Sequence, residues 1–206
     1  QRAKDIVGRY AGQVDDWDFN NEMWYGDWYR DTFGASITKQ MADWVLEANP
    51  NARLWFNEYN MLNSVSNAEQ FRTLLEQLML EGVPVDGIGC QAHFGSAPNA
   101  ATVKAALDIL DDLGRPIMLT EFDCGWGEDN TDAAREELEA DGLEAVYRTA
   151  FEHAAVNGII MWGFWEANHW EPSRALWLTD WTPTAQALRY QALVLDEWWT
   201  DSQLVT

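Results

Sequence analysis

Pro116-Ile-Met-Leu-Thr-Glu-Phe-Asp-Cys124 is a short apolar run that ends in two carboxylates. The apolar part, Ile117 to Leu119, is too short for a helix and reads as a buried strand. Glu121 and Asp123 are two apart, so on a strand they project to the same side. A buried parallel strand that delivers acids at its C-terminal end is how a barrel enzyme places its chemistry. Alone, the stretch reads more simply as a strand edge with two solvated acids. A second stretch of the same kind, Trp17-Asp-Phe-Asn-Asn-Glu22, also runs as a strand and ends on a glutamate, and this shifts the reading toward the barrel.

Helical and strand patterns alternate around these two stretches. Ala3, Ile6, Val7 and Tyr10 sit at helical spacing, and Gly12 ends that helix before the strand at 17–22. Residues 23–34 read as a Trp- and Tyr-rich loop. Ile37, Met41, Trp44, Val45 and Ala48 predict an amphipathic helix stopped near Pro50, and 53–57 a second strand. Asn67 is the expected N-cap of a helix whose apolar face is Phe71, Leu74, Leu75 and Leu78. Then come a strand at 85–93, a helix carrying Val103, Ala106, Leu107 and Leu110 closed by Gly114, and the Glu121 strand. An acidic loop at 125–131 is long for its position, as functional or mobile loops are. Leu143 to Phe151 predict a helix and 158–164 a fifth strand. A Trp-rich loop runs to Trp181, and Pro183 is expected to open the last helix. This order implies parallel strands joined by crossover helices, an α/β fold with carboxylates, amides and aromatics gathered on one face. No 20–50-residue period recurs, which excludes a solenoid.

The 206 residues suffice for one domain with a sizeable core. Thirteen tryptophans exceed what packing needs and suit stacking on flat rings such as sugars. A net charge of -21 argues against nucleic acid and anionic membranes as partners, and it fits a surface that stays solvated in salty water. No apolar run approaches membrane-spanning length. The chain starts at Gln1 without a signal peptide or initiator Met, so it is expected to be processed or part of something longer. Cys90 and Cys124 read as packing thiols rather than a disulfide or metal pair. No cofactor is expected. His153 and His169 have no Cys or His at zinc-ligand spacing. Glu128, Asp129, Asn130 and Asp132 cluster oxygen ligands but lack EF-hand spacing, and are read as a solvated acidic loop.

Trp17-Asp-Phe-Asn-Asn-Glu22, Asn57-Glu-Tyr-Asn60, Gly87-Ile-Gly-Cys-Gln-Ala-His93, Leu119-Thr-Glu-Phe-Asp123 and Met161-Trp-Gly-Phe-Trp165 occur in the order seen in glycoside hydrolase family 10. These five motifs together resemble that family of retaining endo-β-1,4-xylanases with a (β/α)8 TIM-barrel fold, and the resemblance covers essentially the whole chain. It implies endo-acting hydrolysis of β-1,4-xylosidic bonds in xylan or xylo-oligosaccharides, outside the cell as a secreted enzyme. Glu22 resembles the acid/base and Glu121 the nucleophile, a pair of carboxyl groups that retention requires about 5 to 5.5 Å apart. Asn21 resembles the residue that bonds the sugar 2-hydroxyl. Asn21 and Glu22 both face the site only if the strand end is irregular, as in a bulge. Gln91 and His93 share a strand face. His93 resembles the histidine that hydrogen-bonds the nucleophile, with Asp123 behind its ring. Tyr59, Trp162 and Trp170 resemble the aromatics of the sugar cleft. Trp24, Trp28 and Trp165 read equally as loop packing, and Glu166 and Glu171 as solvated acids.

Several features depart from the family pattern. Phe19-Asn20 stands where two valines are usual, Glu58 where Asp is usual, and the loop after Glu22 is shortened and aromatic. A (β/α)8 barrel takes about 250 residues and eight strands. Five strands are read here, corresponding to the family's fourth to eighth. Residues 1–206 are therefore expected to form the C-terminal five βα units. The chain is then a fragment, or another chain supplies the first three units, or copies of it associate. Two other functions compete: a sugar-binding module without turnover, and a barrel glycosidase acting on β-glucan.

Overall fold

Each apolar run of the sequence buries one side against a helix, and that pairing builds the whole fold. In the computed structural model, which describes residues 1–127 and 132–199, the order is α1 (Arg2–Arg9), β1 (Asp16–Asn21), α2 (Trp28–Phe33), α3 (Ser36–Ala48), β2 (Arg53–Glu58), α4 (Val65–Leu80) and β3 (Gly87–Cys90). It continues with β4 (His93–Phe94), α5 (Ala100–Asp111), β5 (Ile117–Cys124), α6 (Ala133–Glu152), β6 (Val156–Met161) and α7 (Ala185–Gln191), which runs on as a π-helical turn over Ala192–Glu197. Strands β1, β2, β3, β5 and β6 lie side by side in chain order, every pair parallel, and β4 prolongs the line of β3 alongside β5. This is a partial (β/α)8 barrel. Among the described residues, β1 pairs only with β2, and β6 only with β5.

Alternation assigns the two sides of the sheet. Leu54, Phe56, Ile88, Ile117, Leu119 and Phe122 are fully buried and pack in one core with helix residues such as Phe71, Leu75, Leu107 and Val146. Cys90 and Cys124 are free, buried members of the same core, and burial pushes the Cys90 thiol up to about 12. The inner side carries Trp55, Asn57, Met118, Thr120 and Ile160. Gly87 and Gly89 are what let these side chains lie flat. A Cβ on Gly87 would sit 2.2 Å from the Trp55 ring, and one on Gly89 2.5 Å from Asn57 Oδ1.

Several local expectations are corrected. Residues 28–33 are helical rather than loop, because the Asp27 side chain accepts from the Arg30 N–H and caps the turn. Ser64, not Asn67, caps α4; Asn67 instead donates to the Asn60 carbonyl. The strand expected at 85–93 breaks at Ala92, which has φ 65°. The fifth strand is Val156–Met161, two residues earlier than expected. Pro183 lies outside the last helix, whose N-cap is Thr184. Asp132 caps α6 by accepting from the Ala134 and Arg135 N–H groups, while Glu128, Asp129 and Asn130 lie outside the described residues.

Candidate active site

The C-terminal ends of the strands open into a cavity of about 580 Å³. Glu22, Tyr59, Gln91, His93, Glu121, Trp162 and Trp170 all line it, together with Asn60, Asn63, Gly95 and Arg174. The remaining two candidate residues bond to this lining, Asn21 from an exposed position beside it and Asp123 from a buried one behind it.

Asn21 and Glu22 reach the same site because the backbone is irregular in two places. The β1–β2 register shifts between Asp18 and Asn20, and Glu22 turns into the left-handed region at φ 62° while its N–H donates to the Asn57 carbonyl. Ala92 does the same for Gln91 and His93, so these two converge from the ends of a broken strand rather than from one continuous face. Left-handed non-glycine residues cluster at functional sites because the surroundings must impose them. Here Glu22, Asn60 and Ala92 flank one cavity.

Amides join the two glutamates. Gln91 Nε2 donates to Glu22 Oε1 at 2.8 Å and to Asn21 Oδ1 at 3.2 Å. Asn57 Nδ2 donates to that same Asn21 oxygen at 2.9 Å and to Glu121 Oε1 at 2.7 Å. Thr120 donates to Asn57 Oδ1 at 2.5 Å, so the amide is pinned with its N–H groups facing the acids. The chain Glu22–Gln91–Asn21–Asn57–Glu121 holds two carboxylates at the two ends of one short hydrogen-bonded bridge. Asn57 and Thr120 are not among the residues expected in the site, although each stands inside a family motif on an inward strand position.

His93 ties Glu121 to a second carboxylate. Its Nε2 lies 3.3 Å from Glu121 Oε2, and its Nδ1 lies 3.1 Å from Asp123 Oδ1. Burial disfavours the charged ring, but hydrogen bonding to Asp123 and Glu121, with a smaller part from their charges, outweighs it and lifts the imidazole to about 9. The two carboxylates thus favour the protonated ring. Burial pushes the Asp123 carboxyl up. His93, the Trp170 indole N–H at 2.6 Å and the Arg174 guanidinium more than reverse this and hold it below the usual range.

Glu58 is a fully buried acid that sequence reading noted only as a departure from the family. Its oxygens accept from the backbone N–H groups of Trp24 and Tyr59, clamping the segment after Glu22 to the segment after β2. Burial, and more weakly the charge of Glu22, raises its carboxyl to about 7 despite those two bonds. The sign follows from linkage: between about 4.5 and about 7 the folded chain binds the extra proton, so stability falls as pH rises. Glu58→Gln cannot titrate. Its melting temperature should therefore fall less steeply than the parent's across that interval, as calorimetry at stepped pH would show. Equal slopes would mean that Glu58 does not carry the raised pKa.

Aromatic rings form the walls. Tyr59 stacks on Tyr25 with centroids 3.9 Å apart, and Trp162 and Trp170 also line the cavity, both substantially exposed. Trp24, Trp28 and Trp165 pack on Tyr25, on Tyr29 and Phe33, and on Trp181, away from the cavity lining. Glu166 is not a solvated acid: its Oε2 accepts from both the N–H and the hydroxyl of Thr179 and staples the loop after β6.

The family model described as "Glycosyl hydrolase family 10" matches residues 2–194. Over 200 residues the chain is 37% identical to the anti-sigma-I factor RsgI6 of Acetivibrio thermocellus, covering 97% of this chain and 25% of that protein. Over 168 residues it is 38% identical to endo-1,4-beta-xylanase 2 of Arabidopsis thaliana, covering 80% of this chain and 15% of that protein. Among solved structures, xylanase 10B from Thermotoga petrophila RKU-1 superposes with a TM-score of 0.83 at 23% identity, covering 95% of this chain and 64% of that one. The chain thus spans a quarter or less of those two curated relatives and under two thirds of that solved structure. A match over nearly all of its residues, on a partial barrel with the family's motifs at its strand ends, means that the chain belongs to glycosyl hydrolase family 10.

Proposed function

We propose that this chain carries the catalytic part of a retaining endo-β-1,4-xylanase, as the C-terminal five βα units of the barrel, acting outside the cell on xylan or xylo-oligosaccharides. The observation that carries the reading is the amide bridge between Glu22 and Glu121, which orients two carboxylates toward one cavity. In this reading Glu121 attacks the anomeric carbon while Glu22 gives its proton to the departing glycosidic oxygen. Glu22 then takes a proton from the water that attacks the same carbon and releases Glu121. Two inversions give net retention. His93 contacts Glu121 Oε2 while Asn57 bonds Oε1, so the ring helps to hold the carboxylate in place for attack. Asn21, held by Gln91 and Asn57, is the candidate partner of the sugar 2-hydroxyl, a bond that strengthens in the transition state. Tyr59, Trp162 and Trp170 supply ring faces for the sugars. The first three βα units of the same polypeptide, a separate chain that carries them, or a second copy completes the barrel.

Glu22→Ala tests the acid/base role. Turnover of xylan should fall by about 10³-fold, whereas the first step on an aryl xylobioside with a good leaving group should stay near the parent rate, since protonation is what Glu22 supplies. Equal losses on both substrates would assign the proton to another group. A second reading, a sugar-binding module without turnover, draws on the 37% identity to a protein named as an anti-sigma factor. Reducing-sugar release from xylan and β-glucan separates binding, xylanase and glucanase activities.

A further inference from the structure

Arg174 lies outside all five family motifs, yet it touches the site at three points. Nη1 donates to Asp123 Oδ1 at 3.0 Å, Nε donates to the Gly125 carbonyl at 3.1 Å, and the guanidinium carbon sits 5.2 Å from the centroid of the Trp170 ring. Trp170 in turn donates its indole N–H to the other oxygen of Asp123 at 2.6 Å. Asp123 is thus gripped on both oxygens by two residues that also grip each other. Its Oδ1 is shared between Arg174 at 3.0 Å and His93 at 3.1 Å. Gly95 and Gly125 make room for the guanidinium: a Cβ on Gly95 would approach Nη2 to 3.0 Å, and one on Gly125 would approach Cγ to 2.9 Å.

We propose that Arg174 is a positioning residue that locks Trp170 and Asp123 into one rigid unit, so that the aromatic wall of the cavity and the histidine behind Glu121 are held by a single side chain. The proposal rests on the reading of Glu121 as nucleophile and of Trp170 as a sugar platform. A planar guanidinium can fill both roles at once, bonding a carboxylate edge-on while stacking its face on an indole, which an ammonium group cannot do. The arrangement has an electrostatic consequence. His93 faces Glu121 and Asp123 from β5, Glu22 across the cavity and Arg174 from the loop after β6, while His169 of that loop acts on Asp123 and Arg174. Arg174 is the permanent cation in this set and competes with His93 for one oxygen. Removing it leaves Asp123 Oδ1 to His93 alone and takes a positive charge away from the ring, so the imidazole keeps its proton to higher pH.

The test compares Arg174→Gln with Arg174→Lys in the assembly that hydrolyses xylan. It reads the His93 ring titration by nitrogen-15 NMR, the Trp170 indole N–H resonance, and kcat and KM on a xylo-oligosaccharide. In the Gln variant the His93 titration should move up by about half a unit or more, kcat should drop about tenfold, and KM should rise severalfold. In the Lys variant the point charge should return the His93 titration and kcat toward the parent. KM should stay raised and the Trp170 resonance displaced, because the ring contact is not restored. An unmoved or lowered His93 titration in the Gln variant, or a parent-like KM in the Lys variant, overturns the proposal. Should Arg174→Gln not fold, the Lys variant still decides through KM and the Trp170 signal. If the parent itself fails to hydrolyse xylan, the xylanase reading falls, while the two NMR readouts still judge Arg174.

Discussion

Under the proposed mechanism, Glu121→Ala should reduce xylan turnover by on the order of 10⁵-fold, because it removes the group assigned to the attack. Glu121 accepts from Asn57 Nδ2 at 2.7 Å and faces the His93 ring at 3.3 Å, so both oxygens are oriented by groups that do not react. With an activated aryl substrate and added azide, the variant should regain turnover through a single displacement and yield the inverted glycosyl azide. Chiral product analysis by proton NMR reads the anomer directly. A variant that keeps a rate within tenfold of the parent, or a rescued product of retained configuration, would remove Glu121 from the nucleophile role.

The second large effect concerns the open sides of the sheet. Backbone groups of β1 and β6 beyond their single neighbours lack strand partners among the described residues. Ile160 and Trp162 point toward the barrel interior and are each about half exposed, at 52% and 46%. Beside β1 lies an apolar groove lined by Ile6, Val7, Trp17, Phe19, Met41 and Trp44. Patches of this kind, next to unpaired strand edges, favour association. The 206-residue chain expressed alone is therefore expected to aggregate, self-associate or remain poorly active. Adding a polypeptide with the first three βα units should raise xylanase activity at least about tenfold as closure supplies both the missing cleft wall and the strand partners. Light scattering and a xylan assay, with and without that polypeptide, decide the matter. A monodisperse monomer that melts cooperatively and turns over xylan fully on its own would contradict the expectation.

Much of the framework was legible in the residues because it depends on local repeats. A period of two in Leu54–Phe56 and Ile117–Leu119, and a period near 3.6 in Phe71–Leu75–Leu78, are set by covalent geometry and burial. They locate strands and helices without knowledge of what lies opposite. The carboxylates at the strand ends were legible for the same reason, and the family motifs assigned them expected roles. Caps were less legible. Ser64 and Asn67 are both good capping residues, and only the turn that brings Asn67 to the Asn60 carbonyl decides between them.

Tertiary structure alone decided how the site is held. Asn57 reaches Glu121 across 64 positions of sequence, and Arg174 reaches Asp123 across 51, so no local pattern marks either pair. The left-handed turns at Glu22 and Ala92 occur in residues that disfavour them, imposed by hydrogen bonds and packing from neighbouring strands. Glu58 looked like a minor substitution in a motif, yet folding buries it between two backbone N–H donors and changes its acidity. Sequence by itself determined which side chains stand at the ends of parallel strands, since that follows from spacing along the chain. Which of them touch, share protons and constrain one another depends on distances between strands and loops, and those exist only once the sheet has curved and the loops have closed over it.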